Sequence, residues 1–224
     1  TTMYLNLENE KTRTILCRRA WTLQNKNREL KFSFCAQLKE NIHVSGSRGI
    51  RIHYTLLNFS GENLTMPEAG NEQQTFEFVL TEAGAISSDG PHKGHLADIA
   101  EELRCAWLTP EVGIHGLCWQ TEPGIHTKLP KPLRTSQSVA QHKITSATKS
   151  QLTIESQADI SLKLTSTTRM GPLHGCSTQT TVLDKSSGPV KMTRAVKVIL
   201  HDPAQQQLLP ATILSSLSVD NAKP

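Results

Sequence analysis

Residues 30–39 read LKFSFCAQLK, and this stretch decides the fold. Its apolar side chains stand at every second position, namely Leu30, Phe32, Phe34, Ala36 and Leu38. Successive side chains of a β-strand point to opposite faces, so a period of two is the pattern of a half-buried strand. We therefore predict a strand here, with its even-numbered face in the core.

The preceding segment follows the same period, with its inward positions at Ile15, Cys17, Arg19, Trp21 and Leu23. A hairpin about residues 26–27 sets Trp21 opposite Phe32 and keeps the apolar set on one face. One exception remains, because Arg19 then lies opposite Phe34 on that apolar face. The two segments are predicted to pair as neighbouring antiparallel strands.

A slip of one residue in this hairpin would instead set Cys17 opposite Cys35, where a disulfide could form. The slip would also move the apolar side chains to the wrong face. Burying each large apolar side chain is worth about 1.5–3 kcal/mol, against typically about 2–4 kcal/mol for one disulfide. Several side chains are at stake, so we predict the apolar register, with Cys17 and Cys35 not bonded to each other.

The next turn, Ser45–Gly49, aligns Ile42 with Ile52 and Leu38 with Leu56. The same face is thus kept over three consecutive strands, which predicts an antiparallel meander. A fourth strand is expected over residues 75–81.

Helical spacing follows over Gly94–Leu108, with the apolar residues Leu96, Ile99, Ala100, Leu103 and Trp107. We expect its acidic residues, Asp98, Glu101 and Glu102, on the other side of the helix, away from the apolar stripe. One helix lying across the sheet is the simplest arrangement.

The C-terminal half returns to a period of two but has no Phe, Tyr or Trp after Trp119. The run Leu152–Leu164 predicts one long strand, followed by strands over residues 190–200 and 211–219. The fold class is therefore mainly β (a β-rich α+β protein): an antiparallel meander with one central helix and a β-rich C-terminal half. We expect three regions: a meander at 1–90, a helix and loop connector at 91–128, and an aromatic-free β region at 129–224.

Composition excludes several classes of function. Apolar residues make up 37% and charged residues 20%, as in an ordinary globular protein. The net charge is +4 and the basic residues are scattered, which argues against a nucleic-acid partner. No apolar run approaches the roughly 18 residues that a membrane helix needs, so no transmembrane span is expected.

The chain starts at Thr1, so a leader has been removed or the sequence was trimmed. Two tripeptides, Asn58-Phe59-Ser60 and Asn63-Leu64-Thr65, have the pattern of glycosylation acceptors. We expect an extracytoplasmic location: periplasmic, envelope or secreted.

A catalytic site is not expected. Ser146-Ala147-Thr148-Lys149 matches the S-x-x-K pattern, but that pattern needs a helix to bring the lysine back to the serine. Here it leads into a predicted strand, where residues three apart point to opposite faces. The sequence therefore predicts a protein that is not an enzyme and holds no cofactor.

Histidines and cysteines supply the remaining candidates for a metal site or a disulfide. His92, His95, His115 and His126 are weak candidates for a metal site, because their spacing matches no recurring zinc or copper site. We predict that they do not share one ion. Cys105 and Cys118 bracket a flexible loop and could form a disulfide, and two buried free thiols are an equally good interpretation.

Three features, the meander Ile15–Phe59, the helix Gly94–Leu108 and the strand Leu152–Leu164, together resemble bacterial cell-envelope β-sheet proteins such as the lipoprotein carriers. The resemblance is architectural, so it transfers no functional residue. It implies a large curved sheet that covers an apolar ligand.

The sequence favours a non-catalytic binding or scaffolding protein that presents its sheet to an apolar ligand or a protein partner. The candidate face comprises Phe34, Leu38, Tyr54 and Leu56. The alternative is a structural subunit of a larger envelope or virion assembly, and an enzyme of unrecognised type comes third.

Overall fold

The computed structural model describes residues 2–5, 7–25, 27–44, 50–63, 74–81, 84–90, 92–107, 113–114, 119–120, 126–128, 134–139, 142–158, 161–170, 175–184, 186–202 and 207–220. Side chains are described for 7–25, 27–44, 50–63, 74–80, 88–90, 92–107, 178–184, 186–197 and 209–220. The strands are β1 (Thr2–Leu5), β2 (Lys11–Asn25), β3 (Arg28–Val44), β4 (Ile50–Glu62), β5 (Thr75–Thr81), β6 (Gly84–Ser87), β7 (Gly113–Ile114), β8 (Trp119–Gln120), β9 (His126–Lys128), β10 (Arg134–Val139), β11 (His142–Ala158), β12 (Ser161–Met170), β13 (Gly175–Asp184), β14 (Gly188–Asp202) and β15 (Gln207–Val219). The helix α1 spans Gly94–Ala106.

The predicted fold class, mainly β with one helix, is confirmed for the described residues. The main sheet has the strand order β10-β11-β12-β13-β14-β15-β2-β3-β4-β5-β6, and β9 also pairs with β11. Each of these pairs is antiparallel, and the sheet curls into a half-barrel. Because β15 pairs with β2, the two halves of the chain share one sheet. The division into three regions stays a prediction.

The register predicted for the meander is confirmed. Trp21 pairs with Phe32, Ile42 pairs with Ile52, and the Arg19–Phe34 exception is present. Cys17 lies opposite Ala36 and Cys35 opposite Arg18, and both thiols are free. Apolar burial therefore decided the register, as expected from the energies of the two alternatives.

A β-bulge interrupts the pairing of β3 with β4 after Leu56. Leu38 pairs with Leu56, whereas Gln37 pairs with Asn58, so Leu57 is the extra residue. Its side chain is 52% exposed. A bulge shifts the inward positions from even to odd numbers, so Phe59 packs against the core.

The long strand predicted over Leu152–Leu164 is wrong, because this run forms two strands. β11 ends at Ala158, β12 begins at Ser161, and the two pair as a hairpin in which Ile154 lies opposite Leu164. Even-numbered residues lie opposite even-numbered residues across most of this hairpin. The alternation therefore continues through the turn, and a period of two cannot distinguish a hairpin from one long strand.

The helix lies in the hollow of the half-barrel. It contacts β2 and β15, which lie in the middle of the sheet, and also β6 and β10, which lie at the two ends of the strand order. Ile99 and Leu103 are fully buried, as the apolar stripe predicts. The prediction that the acidic residues point away from the apolar stripe is wrong for Asp98 and Glu102, because both are buried.

The C-terminal end of the helix packs on the β13–β14 turn. Trp107 follows the last helical residue, and its ring lies against Gly188, which has a φ of +79°. The side-chain amide of Gln179 donates to the carbonyl oxygen of Cys105 at 2.8 Å. This bond satisfies one of the carbonyl groups that a helix end leaves without a partner. In the described part of the chain, no helix is long and apolar enough to cross a membrane.

Candidate ligand-binding site

The concave face of the half-barrel carries most of the described core. The inward side chains of β2, β3, β4 and β5 include Ile15, Cys17, Trp21, Phe34, Leu38, Ile42, Ile52, Tyr54, Phe76 and Phe78, which are all at most 3% exposed. Three residues of the predicted ligand face, Phe34, Leu38 and Tyr54, belong to this buried set. The fourth, Leu56, is partly buried at its margin. Whether this face holds a ligand stays a prediction.

A buried ion cluster joins the helix to this apolar face. The guanidinium of Arg19 projects from β2 and donates to Asp98 at 2.8 Å, Glu101 at 3.0 Å and Glu102 at 2.6 Å. Glu102 Oε1 also accepts hydrogen bonds from Arg194 Nη2 and Ser215 Oγ, each at 2.6 Å. One helical carboxylate is thus shared by strands β2, β14 and β15.

The cluster holds its members in unequal protonation states. Burial alone would raise the pKa of Glu102, but Arg19 and Arg194 lower it to about 2. Burial raises the pKa of Asp98 to about 7, against the lowering effect of Arg19. Burial alone would lower the pKa of Arg19, but the carboxylates, chiefly Glu102, raise it above its ordinary value. Both arginines therefore stay charged, while Asp98 titrates near neutral pH.

Several polar atoms of this cluster have no hydrogen-bond partner among the described residues. They are Glu101 Oε1, Glu102 Oε2 and Arg194 Nε. Buried polar atoms without partners cost free energy that water would restore. The ion cluster therefore joins helix α1 to the apolar face through polar groups whose hydrogen-bonding capacity the described residues only partly satisfy.

A second polar network lies near the C-terminal end of the helix. Trp107 Nε1 donates to the hydroxyl of Tyr54 at 2.7 Å, and that hydroxyl donates to Glu40 Oε2 at 2.5 Å. Arg13 Nε donates to Glu40 Oε1 at 2.5 Å. Burial raises the pKa of Tyr54 well above its ordinary value, so its hydroxyl remains a donor.

Aromatic rings surround the other end of the helix. The His95 ring lies 6.3 Å from the rings of both Trp21 and Phe59, and Phe34 contacts both of these aromatic residues. Burial lowers the pKa of His95, which favours the neutral imidazole. The aromatic cluster therefore offers an apolar margin to the half-barrel.

The predicted metal candidates lie in different surroundings. His92 Nε2 is 3.1 Å from Asp89 Oδ1 and its ring contacts Phe76, away from the aromatic cluster around His95. His115 lies outside the described residues, and His126 begins β9. Among the described side chains, no group of three or more potential ligands could hold a metal. That the four histidines do not share one ion stays a prediction.

The predicted cysteine pair is only half described. Cys105 is buried in the helix, and burial raises the pKa of its thiol. Cys118 lies outside the described residues, so the Cys105–Cys118 disulfide stays a prediction.

The convex face carries a shallow groove of about 530 Å³ that crosses β15, β2, β3 and β4. Small outward side chains such as Ala20 and Ser33 leave the space open, and Arg18 and Leu214 border it. Leu214 is 57% exposed.

Charged inward residues are the part of the site that sequence reasoning missed. Arg13 and Arg19 on β2, Glu40 on β3 and Arg194 on β14 all occupy positions where strand parity places core residues. The signal was present in the sequence, since a charge at a core position requires a buried partner. The sequence pattern revealed only Arg19 as a charge on the apolar face. Its helical partners, Asp98, Glu101 and Glu102, were predicted on the opposite side of the helix.

No family model matches the chain, and no curated protein matches it. Among solved structures, a lipovitellin structure, described under lipid–protein interactions in lipovitellin, aligns with this chain. The TM-score is 0.57 at 6% identity, and the alignment covers 96% of this chain. The match spans only 26% of the lipovitellin chain, and at this identity it shows the fold alone.

Two bacterial structures align with lower TM-scores. One is a DUF1329 family protein from Desulfovibrio piger, with a TM-score of 0.26 and 9% identity; the alignment covers 95% of this chain and 88% of that protein. The other is a putative outer membrane lipoprotein-sorting protein domain from Vibrio parahaemolyticus, with a TM-score of 0.21 and 6% identity; the alignment covers 94% of this chain and 87% of that domain.

Proposed function

We propose that this protein is a non-catalytic binding protein that holds an apolar ligand between its curled sheet and helix α1. The observation that carries the proposal is the attachment of the helix. It lies on an apolar concave face but is joined to it by the Arg19–Asp98–Glu102 ion cluster. Charged contacts can be exchanged for water when the helix moves, and the apolar face that is then uncovered requires another apolar cover.

The dimensions of the two elements support the proposal. The helix has 13 residues and is about 20 Å long. Strand β2 has 15 residues and is about 50 Å long. A single helix is therefore less than half as long as the strands it crosses, and because the inward side chains are already buried, a ligand would enter this face by displacing the helix.

The described reactive groups favour binding over catalysis. The thiols of Cys17 and Cys105 are buried, and burial raises the pKa of each. A thiol is nucleophilic as the thiolate, so these two are poorly placed for covalent chemistry. The acidic groups of the helix are held by arginines.

The proposal includes a location outside the cytoplasm. Both glycosylation-type asparagines, Asn58 and Asn63, are exposed. A native mass spectrum of protein purified from its own source would detect glycan, bound lipid and partner together.

The experiment that tests the proposal compares Leu56→Ser with Leu214→Ser. Leu56 lies at the margin of the concave face, whereas Leu214 is 57% exposed on the convex face. We expect Leu56→Ser to lower the amount of bound apolar ligand in native mass spectra by severalfold before the melting temperature changes much. Leu214→Ser should keep the wild-type ligand content.

A large loss of stability in Leu56→Ser with unchanged ligand content would mean that the concave face is internal core only. Absence of any apolar ligand from the wild-type protein, together with failure to take up added lipid, would also reject the proposal.

A second candidate function, a subunit that binds a protein partner, is favoured by the convex groove bordered by the exposed Leu214. In that case Leu214→Ser, and not Leu56→Ser, would change the mass of the complex in solution. A monomeric mass for the wild-type protein favours the ligand-binding function.

A further inference from the structure

Arg13 is a buried cation whose hydrogen-bonding capacity is only partly used. Its side chain is 8% exposed, and its Nε donates to Glu40. Its two terminal nitrogens, Nη1 and Nη2, are buried and have no hydrogen-bond partner among the described residues. These two nitrogens form the end of the guanidinium, which can bind two oxygen atoms of one anion side by side.

The local bonds provide no acceptor for this end of Arg13, and because both nitrogens are buried, an anion reaches them only when the site opens. Glu40 already receives one bond from Arg13 and one from the hydroxyl of Tyr54, which is itself fixed by Trp107. The next position of β2 on the same face is Ile15, a core residue that pairs with Val219, the last residue of β15. Arg13 therefore lies one inward position past the apolar residues of β2 and past the end of β15, while the core continues on β3 with Ile42.

A second cation stands on the same face of the strand. Lys11 is two residues from Arg13, and its ammonium pairs with Glu8, a side chain that is 58% exposed. An exposed pair of this kind contributes little free energy, so Lys11 can exchange Glu8 for another anion. Lys11, Arg13, Glu8 and Glu40 together carry no net charge, and displacement of the exposed Glu8 by a ligand leaves one positive charge that one monoanion would neutralise.

Leaving the guanidinium without acceptors is costly, because a buried charge needs partners for all its polar atoms. Resting on the proposed function, we infer that Arg13 binds the anionic head of an amphipathic ligand, a carboxylate or phosphate oxygen pair, while the apolar chain lies along the concave face. The ligand class is then an anionic lipid or fatty acid. Ligand orientation follows, with the head at Arg13 and the chain directed toward Ile15.

The test measures binding of hexadecanoate and hexadecan-1-ol, which share a chain and differ in the head group. Acetate, with chloride at equal ionic strength as its control, tests the head group alone through its effect on the melting temperature. The variant is Arg13→Gln combined with Glu40→Gln, which removes the ion pair without leaving Glu40 charged and unpartnered. Arg51→Gln is the matched control, since Arg51 is 59% exposed and pairs with Glu77 at the surface.

We expect the wild-type protein and Arg51→Gln to bind hexadecanoate about tenfold or more tightly than the alcohol, because charge-assisted hydrogen bonds are roughly twice as strong as neutral ones. The double variant should bind both probes with the affinity that the wild-type protein has for hexadecan-1-ol. Far-ultraviolet circular dichroism establishes that it is folded. Arg13→Lys provides a second variant that keeps the charge but loses the paired donors, and it should retain only part of the preference.

Equal affinities for the two probes in the wild-type protein would overturn the inference and leave the proposed function standing. If neither probe binds, the proposed function fails. In that case an acetate-specific rise in melting temperature that is absent from the double variant would still support the anion site. No acid preference and no acetate effect would overturn it.

Discussion

Arg19 shows how a charged residue can occupy a core position of a strand. Its side chain is fully covered on the apolar face of β2, next to Cys17 and Trp21. Removing a charge from water costs several kcal/mol, and only close partners of opposite charge offset this cost. The helical carboxylates at 2.8 and 3.0 Å provide those partners. The strand position and the helix are therefore specified together.

Replacing Arg19 with Met should destabilise the protein by about 3–5 kcal/mol, because the change leaves buried carboxylates without their main cation. Equilibrium denaturation in urea measures this loss. Arg18→Met is the matched control, since Arg18 is exposed on the opposite face of the same strand. It should change stability by no more than about 0.5 kcal/mol. Similar losses for the two variants would show that the ion cluster contributes little to holding the helix.

The pH dependence of stability should report the titration of Asp98. Burial raises the pKa of Asp98 from its ordinary 3.8 to about 7 in the folded protein. Its stabilising contribution is therefore fully present below pH 3.8 and is lost as the pH rises through about 7. We expect Asp98→Asn to remove this decline, whose slope is at most about 1.4 kcal/mol per pH unit.

The measurement is the difference in unfolding free energy between Asp98→Asn and wild type from about pH 5 to about pH 8. The lowered pKa of His95 acts in the opposite direction, with stability lost as the pH falls, and His95 Nδ1 lies 3.5 Å from Asp98 Oδ2, so the same difference is also measured in the His95→Gln background. Glu102 does not contribute here, since its pKa is lowered to about 2 and its contribution is lost only in acid. The exposed control, Glu62→Gln, should follow the wild-type curve. A pH-independent difference for Asp98→Asn would contradict the assignment.

At the scale of elements, the helix is positioned at its C-terminal end by a glycine. Gly188 begins β14 in the left-handed region, with a φ of +79°. A Cβ at this position would stand 2.6 Å from Trp107 Cζ3. Close approach of backbone and ring is therefore possible only without a side chain.

Gly188→Ala should cost about 1–2 kcal/mol for the left-handed backbone and about 1–3 kcal/mol more for overpacking against Trp107. Gly90→Ala separates the two effects, because Gly90 has a similar φ of +85° but a Cβ added there would meet no atom within 4 Å. The control should show only the backbone cost. Thermal denaturation of both variants compares the losses, and equal losses would mean that Trp107 moves aside freely.

The meander could be predicted from sequence because two constraints agreed there. The alternation in residues 30–39 fixed which face is buried, and the turn before it fixed the pairing of Trp21 with Phe32. The bulge at Leu57 could not be predicted, since Leu56, Leu57 and Phe59 allow either parity. The β11–β12 hairpin was also hidden, because its register keeps the same parity on both sides of the turn.

The candidate site was only partly predictable, for a different reason. Alternation identifies an apolar face such as that of Phe34 and Leu38 without knowledge of the fold. Pairing of Arg19 with Glu102 joins residues 83 positions apart, so it depends on where the helix is placed. Helical periodicity placed Glu102 on the solvent side because it considers only which residues are apolar. It takes no account of a buried cation, such as Arg19, on the strand that faces the helix.

At the scale of the whole molecule, β15 connects the two ends of the chain. It pairs with β14 on one side and with β2 on the other, so the C-terminal strands extend the N-terminal meander. Met192 of β14 and Ile15 of β2 are both fully buried in one core cluster. A shared core predicts cooperative unfolding of both halves, whereas the sequence suggested separate regions.

The substitution Met192→Ala tests this cooperativity. Met192 belongs to the C-terminal half, and the change should cost about 2–5 kcal/mol because it leaves a cavity. Every Trp lies in the first 119 residues, so Trp fluorescence reports on the N-terminal half. If the halves unfold together, Met192→Ala lowers the fluorescence midpoint and the far-ultraviolet circular dichroism midpoint by the same amount. The neighbouring exposed residue provides the control, and Thr193→Ala should change the unfolding free energy measured by either probe by less than about 0.5 kcal/mol. An unchanged fluorescence midpoint beside a lowered dichroism midpoint would show that the C-terminal strands unfold as a separate unit, and the shared core would then not couple the two halves.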